Sequence, residues 1–294
     1  MQPPTHLSAE IPCSFDRTAI SAAQQLVIEA GWNQVDADWE IFLALGQVLK
    51  VCGPDGSLDA TAATLPYAGG FGWISMVLVT TAKRRQGLAT QLLARCIAGL
   101  RESNLISVLD ATPAGRAVYR GLGFADGWPI SRCVRAPLGR GATVESAPLS
   151  HAGLRPMLAS DLIAVTDFDA SAFGCRRGEL LARLHARSSD IACLAESAGS
   201  LCGYLLGRNG RGAEQIGPLV AHDAPTAIAL LDHALARRPG ALLIDVLDRH
   251  AEMATALTHR GFTIQRPYTR MTLDRAMPFG DQRLMVAIAG PELG

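Results

Sequence analysis

The second half of this chain is an imperfect copy of the first. Sliding the sequence by 138 residues places Leu105-Ile106 on Leu243-Ile244 and Val108-Leu109-Asp110 on Val246-Leu247-Asp248. Gly123-Phe124 meets Gly261-Phe262, Pro129 meets Pro267, and Arg132 meets Arg270. From Leu105 to Cys133 no gap is needed, and nine of those 29 positions are identical, more than unrelated segments share. Whatever fold one half adopts must therefore also suit the other. With 294 residues, the chain is long enough for two such units. We divide it into a first domain at 1–137, a linker at 138–153, a second domain at 154–278 and a tail at 279–294. The linker is placed where Gly, Ala, Ser and Pro replace any periodic pattern.

Within each copy, strand-like and helix-like segments alternate, which predicts an α/β (α+β) protein with helices flanking a central sheet. In the first copy the pattern predicts a helix over 17–30, stopped at Gly31. Strands are predicted at Ile41–Leu45, Val48–Cys52, Ala60–Leu65 and Trp73–Val79. A helix over 87–102, a strand over 105–109 and a helix over 114–121 follow. In the second copy Ser160 reads as the N-cap of a helix running towards Phe168.

Chemistry is concentrated between Val77 and Thr90. An apolar strand runs into the basic turn Arg84-Arg85-Gln86-Gly87-Leu88-Ala89, and Leu88, Leu92, Leu93 and Ile97 continue at helical period. Backbone N–H groups at such a turn, added to the helix dipole, cradle a pyrophosphate. Gly87 and Ala89 keep side chains out of the way. Two arginines at the end of a helix that disfavours cations also point to an anion. The second copy has lost this device. Leu78-Val79 matches Leu219-Val220 at an offset of 141, whereas Leu92-Leu93 meets Leu230-Leu231 at 138, so three residues are missing from the turn. What remains, Ala221 to Ala227, has no glycine, and it carries an acid and a proline.

Composition narrows the function further. Lys plus Arg equals Asp plus Glu, at 27 each, which argues against a nucleic-acid partner. No apolar run approaches the roughly 20 residues that span a bilayer, and Met1 to Glu10 do not read as a signal peptide. The expectation is a cytoplasmic protein with no membrane partner. Seven cysteines without a Cys-x-x-Cys pair suit a reducing compartment, and their spacing from the histidines gives no metal site. Cys96, in helical register with Leu92 and Leu93, reads as core rather than nucleophile.

Val77 to Thr90, followed by Asp110 to Phe124, resembles the acetyl-CoA-binding core of the GCN5-related N-acetyltransferases. Arg84, Gly87 and Ala89 match the family's Gln/Arg-x-x-Gly-x-Gly/Ala signature, and Tyr119 stands before Gly123-Phe124 as its second signature requires. The resemblance covers both halves as a tandem, with mixed, mostly antiparallel sheets and a divergent second domain. It implies that the backbone of Val77, Leu78 and Val79 meets the pantetheine arm, and that Arg84, Arg85, Gln86, Gly87, Leu88, Ala89 and Thr90 hold the pyrophosphate. It also implies direct attack of an amine on the thioester, with Tyr119 as general acid and a backbone N–H near Val77 as oxyanion donor. Family members often carry a Glu on the strand before the turn; here that segment reads Trp73-Ile74-Ser75-Met76. Ser75 or Asp110 could order a water in its place, and the base stays unassigned. Trp32, Asn33 and Asp169 are the candidate acceptor contacts.

The expectation is an acyl-CoA N-acyltransferase that transfers acetyl to a primary amine of a small molecule or protein, with one acetyl-CoA per chain and no metal. A non-catalytic acyl-CoA sensor is the rival. A tRNA-dependent aminoacyl transferase of tandem fold is a second, opposed by the neutral charge and the intact turn. The acceptor and the oligomeric state stay open.

Overall fold

A computed structural model describes residues 13–139 and 153–294. Met1 to Glu10 and positions 140–152 of the expected linker lie outside them. The first copy contributes β1 (Cys13–Ser14), α1 (Ile20–Glu29), α2 (Asp36–Leu45), β2 (Gln47–Cys52), β3 (Leu58–Tyr67), β4 (Phe71–Val79), α3 (Leu88–Glu102), β5 (Ile106–Ala111), α4 (Pro113–Gly121) and β6 (Phe124–Arg135). The second contributes β7 (Leu154–Pro156), α5 (Leu162–Phe173), α6 (Gly178–Arg187), β8 (Cys193–Ser197), β9 (Ser200–Arg208), β10 (Glu214–Ala221), α7 (Ala224–Leu235), β11 (Leu242–Leu247), α8 (Ala251–His259) and β12 (Thr263–Leu273). A last short strand, β13 (Met285–Ala287), belongs to the tail.

These strands form one continuous, mostly antiparallel sheet in the order β1-β2-β3-β4-β5-β12-β6-β11-β13-β10-β9-β8-β7. At its centre the copies exchange strands. β12 of the second copy lies between β5 and β6 of the first, while β6 of the first lies between β12 and β11 of the second. The two arginines matched by the duplication sit on these exchanged strands. Arg132 on β6 donates to Asp245 on β11, and Arg270 on β12 donates to Asp110 on β5, each through two hydrogen bonds. All four side chains are nearly or wholly buried, so each pair needs its partner to be tolerated there.

Helices cover both faces. α3 buries Leu88, Leu92, Leu93, Cys96 and Leu100 against β3 and β4, an apolar stripe of helical period. α7 and α8 cover β10 and β11 in the same way. The opposite face carries α1, α2, α5 and α6 over a single core that draws on both copies, in which Tyr67 meets Phe173 edge-on at 4.8 Å.

Two elements differ from the sequence expectation. Ile41–Leu45 lies in helix α2, not in a strand. Asp36 and Asp38 occupy its first turn, where acids favour a helix, and Asp38 accepts from Val35 N at 2.8 Å. A five-residue apolar run cannot by itself separate the two readings. Nor does Ser160 cap the next helix: it lies in a single 3-10 turn, Ala159–Asp161, whose start Asp161 closes by accepting from Leu158 N at 2.8 Å, and α5 follows from Leu162 without a side-chain cap among the described residues.

Candidate active site

The parallel pair β4–β5 holds only over Phe71↔Ile106, Gly72↔Ser107 and Trp73↔Val108. Beyond Trp73 the strands part, leaving Ile74 to Val79 with no strand on that side among the described residues. A bulge accompanies the opening. Met76 has a φ of +51°, the register with β3 shifts between Thr61 and Ala63, and Thr61 Oγ1 donates to the Met76 carbonyl at 2.9 Å.

Just past the end of β4, Gly87 has a φ of +87° and forms the N-cap of α3, and no side chain caps this helix. Arg85 is also left-handed, with a φ of +64°. Arg84, Arg85 and Gln86 are exposed. Among the described residues no carboxylate forms an ion pair with Arg84 or Arg85, and Arg84 Nε instead donates back to the Val79 carbonyl at 3.2 Å. An uncapped helix start with two unpaired guanidinium groups fits the pyrophosphate of a coenzyme.

Between the parted strands lies a cavity of about 250 Å³. Ile74, Ser75, Met76 and Val77 of β4, Ala89 and Leu93 of α3, Leu109 and Asp110 of β5, and Val118 and Tyr119 of α4 form its mostly apolar part. Trp32 and Gln34, Arg132 of β6, Arg266 and Tyr268 of β12, and Pro291 and Glu292 of the tail complete it. Tyr119 packs against Phe124 with 6.0 Å between ring centroids, and burial raises its phenol above the ordinary 10, so it is protonated at neutral pH. Its hydroxyl has no hydrogen-bond partner among the described residues.

Four residues that line this cavity each carry a buried side-chain atom without a hydrogen-bond partner among the described residues: Gln34 Oε1, Ser75 Oγ, Arg266 Nε and Glu292 Oε2. Orphaned polar atoms are costly in a protein interior, and their gathering in the lining of one cavity gives this site a polar side. Asp110, by contrast, is already held by Arg270 at 2.9 and 3.0 Å.

The matching gap in the second copy is closed. β10 and β11 pair over Glu214↔Leu242, Gln215↔Leu243 and Ile216↔Ile244, and then β13 enters between them. It pairs antiparallel with both, through Leu219↔Ala287, Val220↔Met285 and Val246↔Ala287. The helix start beyond is closed too. Asp223 caps α7, accepting from Thr226 N at 2.8 Å, so a side-chain anion stands where the first copy offers amides.

Of the residues singled out from sequence, Trp32, Ser75, Val77, Ala89, Asp110 and Tyr119 line the cavity. Arg84, Arg85, Gln86, Gly87 and Thr90 are exposed, Val79 is half-buried, and Leu78 and Leu88 point into the core. Cys96 is buried, and burial pushes its thiol up to about 12. Two expectations need correction. Asn33 faces the other copy: its Nδ2 donates to the Ala213 carbonyl at 2.9 Å, and its Oδ1 accepts from Gly212 N and Ala213 N. Asp169 is buried beneath α6, held by Arg177 at 2.8 and 2.9 Å and by the Tyr204 hydroxyl at 2.5 Å. Neither lines the cavity. The sequence reading missed Gln34, Arg132, Arg266, Tyr268 and Glu292. A signal existed for Arg132, which repeats as Arg270, and for Glu292, the single acid in the final thirteen residues.

A sheet parted beside a bulge, with an uncapped, glycine-started helix at the mouth, defines the acyl-CoA acyltransferase class of fold. The chain belongs to the GCN5-related N-acetyltransferases, as a tandem of two such domains. Residues 38–124 match the Acetyltransferase (GNAT) family and residues 165–285 the Acetyltransferase (GNAT) domain. An uncharacterized N-acetyltransferase of Bacillus subtilis, YitH, is 23% identical over 247 residues, covering 83% of this chain and 84% of that protein. Among solved structures, a Pyrococcus horikoshii chain aligns over 100% of this chain and 99% of its own, with a TM-score of 0.76 at 20% identity. The tandem GNAT protein from the clavulanic acid biosynthesis pathway aligns over 89% and 97%, with a TM-score of 0.62 at 15% identity. At these identities the structures speak for the fold. Among the described residues no group of His, Cys, Asp and Glu could hold a metal, and no helix is long and apolar enough to cross a membrane.

Proposed function

We propose that this protein transfers an acetyl group from acetyl-CoA to a primary amine, and that it does so in the first copy alone. The carrying observation is the cavity itself. It lies between the parted strands, opens beside the uncapped start of α3, and holds Tyr119 and the Val77 backbone together. Acetyl-CoA supplies the acyl thioester. The free edge of β4 at Val77 to Val79 receives the pantetheine amides as an added strand would. Arg84, Arg85 and the first amides of α3 take the pyrophosphate. Val77 N–H stabilises the developing oxyanion, and Tyr119 gives its proton to the departing sulfur.

The experiment is a thiol-release assay with acetyl-CoA and a panel of small amines, with products identified by mass. Amine-dependent thiol release with an N-acetyl product is the expected result. Saturable acetyl-CoA binding with no turnover on any amine would instead make this a sensor.

A further inference from the structure

The tail does more than fill the second copy's gap. After β13 the chain turns back towards the first copy, where the Pro291 carbonyl accepts from Trp73 Nε1 at 2.9 Å and the Leu293 carbonyl from the Tyr67 hydroxyl at 2.8 Å. These bonds hold Glu292 between them at the first copy's cavity. Its side chain is 3% exposed. Oε1 accepts from Arg208 on β9, itself bound to Asp38 at 2.8 Å, while Oε2 has no partner among the described residues. A buried carboxylate oxygen without a donor is an expensive arrangement that a bound cation would relieve.

The same cavity presents one charge of opposite sign that has no ion pair among the described residues. Arg266 stands over the Tyr268 ring at 5.1 Å, its Nε is buried without a partner, and it forms no ion pair among the described residues. Asp110 and Arg132 at the cavity are paired with Arg270 and Asp245 through both of their polar edges, whereas Glu292 meets Arg208 through Oε1 alone. One free carboxylate oxygen and one free guanidinium edge in so small a cavity describe a ligand carrying both charges.

We propose that the acceptor is a small amino acid, its ammonium received by Glu292 and its carboxylate by Arg266. This rests on the acetyl-transfer reading above and supplies the base that β4 lacks. Glu292 takes one proton from the ammonium. The freed amine lone pair forms the C–N bond as the C–S bond breaks, and the sulfur leaves with the Tyr119 proton. The second proton lost by nitrogen restores the phenol, so the balance is amide, CoA thiol and one proton released from Glu292.

The test compares α- and ω-amino acids with their carboxamides and decarboxylated amines, by thiol release at saturating acetyl-CoA. The free acid should exceed its carboxamide in kcat/KM by roughly 10- to 100-fold, the worth of a charge-assisted hydrogen bond. Arg266→Met should collapse that ratio towards one. Glu292→Gln should lower kcat/KM for every acceptor by about 100-fold while calorimetric acetyl-CoA binding persists, and Glu292→Asp should recover part of it. Equal rates for acid and carboxamide overturn the amino-acid assignment, and full turnover by Glu292→Gln overturns the role of Glu292. Should Glu292→Gln fail to fold, the wild-type acid-to-carboxamide ratio decides alone. No turnover on any acceptor, with acetyl-CoA still bound, overturns the transfer reading and this proposal with it.

Discussion

Asp245 holds the guanidinium of Arg132 at 2.7 and 2.8 Å, although the two residues come from opposite copies of the duplicated unit. The Arg270–Asp110 pair repeats the arrangement in reverse. The copies are therefore joined inside one sheet. Residues 1–139 alone would lack β12, the strand between β5 and β6. Expressed alone, they should fail to give a cooperative thermal transition; a cooperatively folded fragment would refute the exchange.

Removing one partner of a buried pair leaves a charge uncompensated. Asp245→Ala should destabilise the protein by about 3–5 kcal/mol, measured by urea denaturation. Gln215, which donates to Asp245 Oδ2 at 2.8 Å, loses its acceptor as well.

Gly87→Ala separates space from backbone strain. A Cβ there would meet nothing within 4 Å, but the φ of +87° is one that L residues adopt at a cost of about 1 kcal/mol. The fold should survive with that modest loss. CoA affinity, read by calorimetry, should fall, since a methyl group now stands at the helix start.

Tyr119→Phe removes only a hydroxyl that bonds no group among the described residues. Packing against Phe124 should keep the melting temperature within a few degrees. If the phenol protonates the departing thiolate, kcat should fall by about 100-fold with little change in KM for acetyl-CoA.

The anchor of the tail should respond to pH. His250 Nε2 lies 2.9 Å from the Gln282 carbonyl and 3.0 Å from that of Met285, at the entry to β13. Burial holds its imidazole below the ordinary 6.5. The unfolded chain thus binds the proton more readily, so stability rises with pH through this window and is lost as pH falls below 6.5 towards the folded value. Melting temperature should drop between pH 7 and pH 5, and His250→Gln should lessen the drop. His233, also lowered by burial, would account for a remainder.

The sequence was most legible where chemistry is local. The turn at Arg84 to Ala89 lies on one helix start, and strand, turn and helix follow one another without a break. Repeats such as Arg132 and Arg270 revealed the duplication but not the strand exchange, because identical spacing says nothing about which copy a strand pairs with. Asn33 and Asp169 were polar residues near a helix end, a pattern shared by interdomain contacts and core ion pairs. Glu292 was hidden by distance along the chain: it reaches Arg208 and the first copy's cavity only because β13 threads the second copy's gap.

That threading carries the central claim, and counting CoA sites tests it. The first copy offers an open gap and an uncapped helix, whereas the second fills its gap with Met285–Ala287 and caps its helix with Asp223. Isothermal titration of the full chain with acetyl-CoA should give one site per chain, abolished by replacing Arg84, Arg85 and Gly87 together. Two equivalent sites, or one that survives the triple replacement, would contradict it.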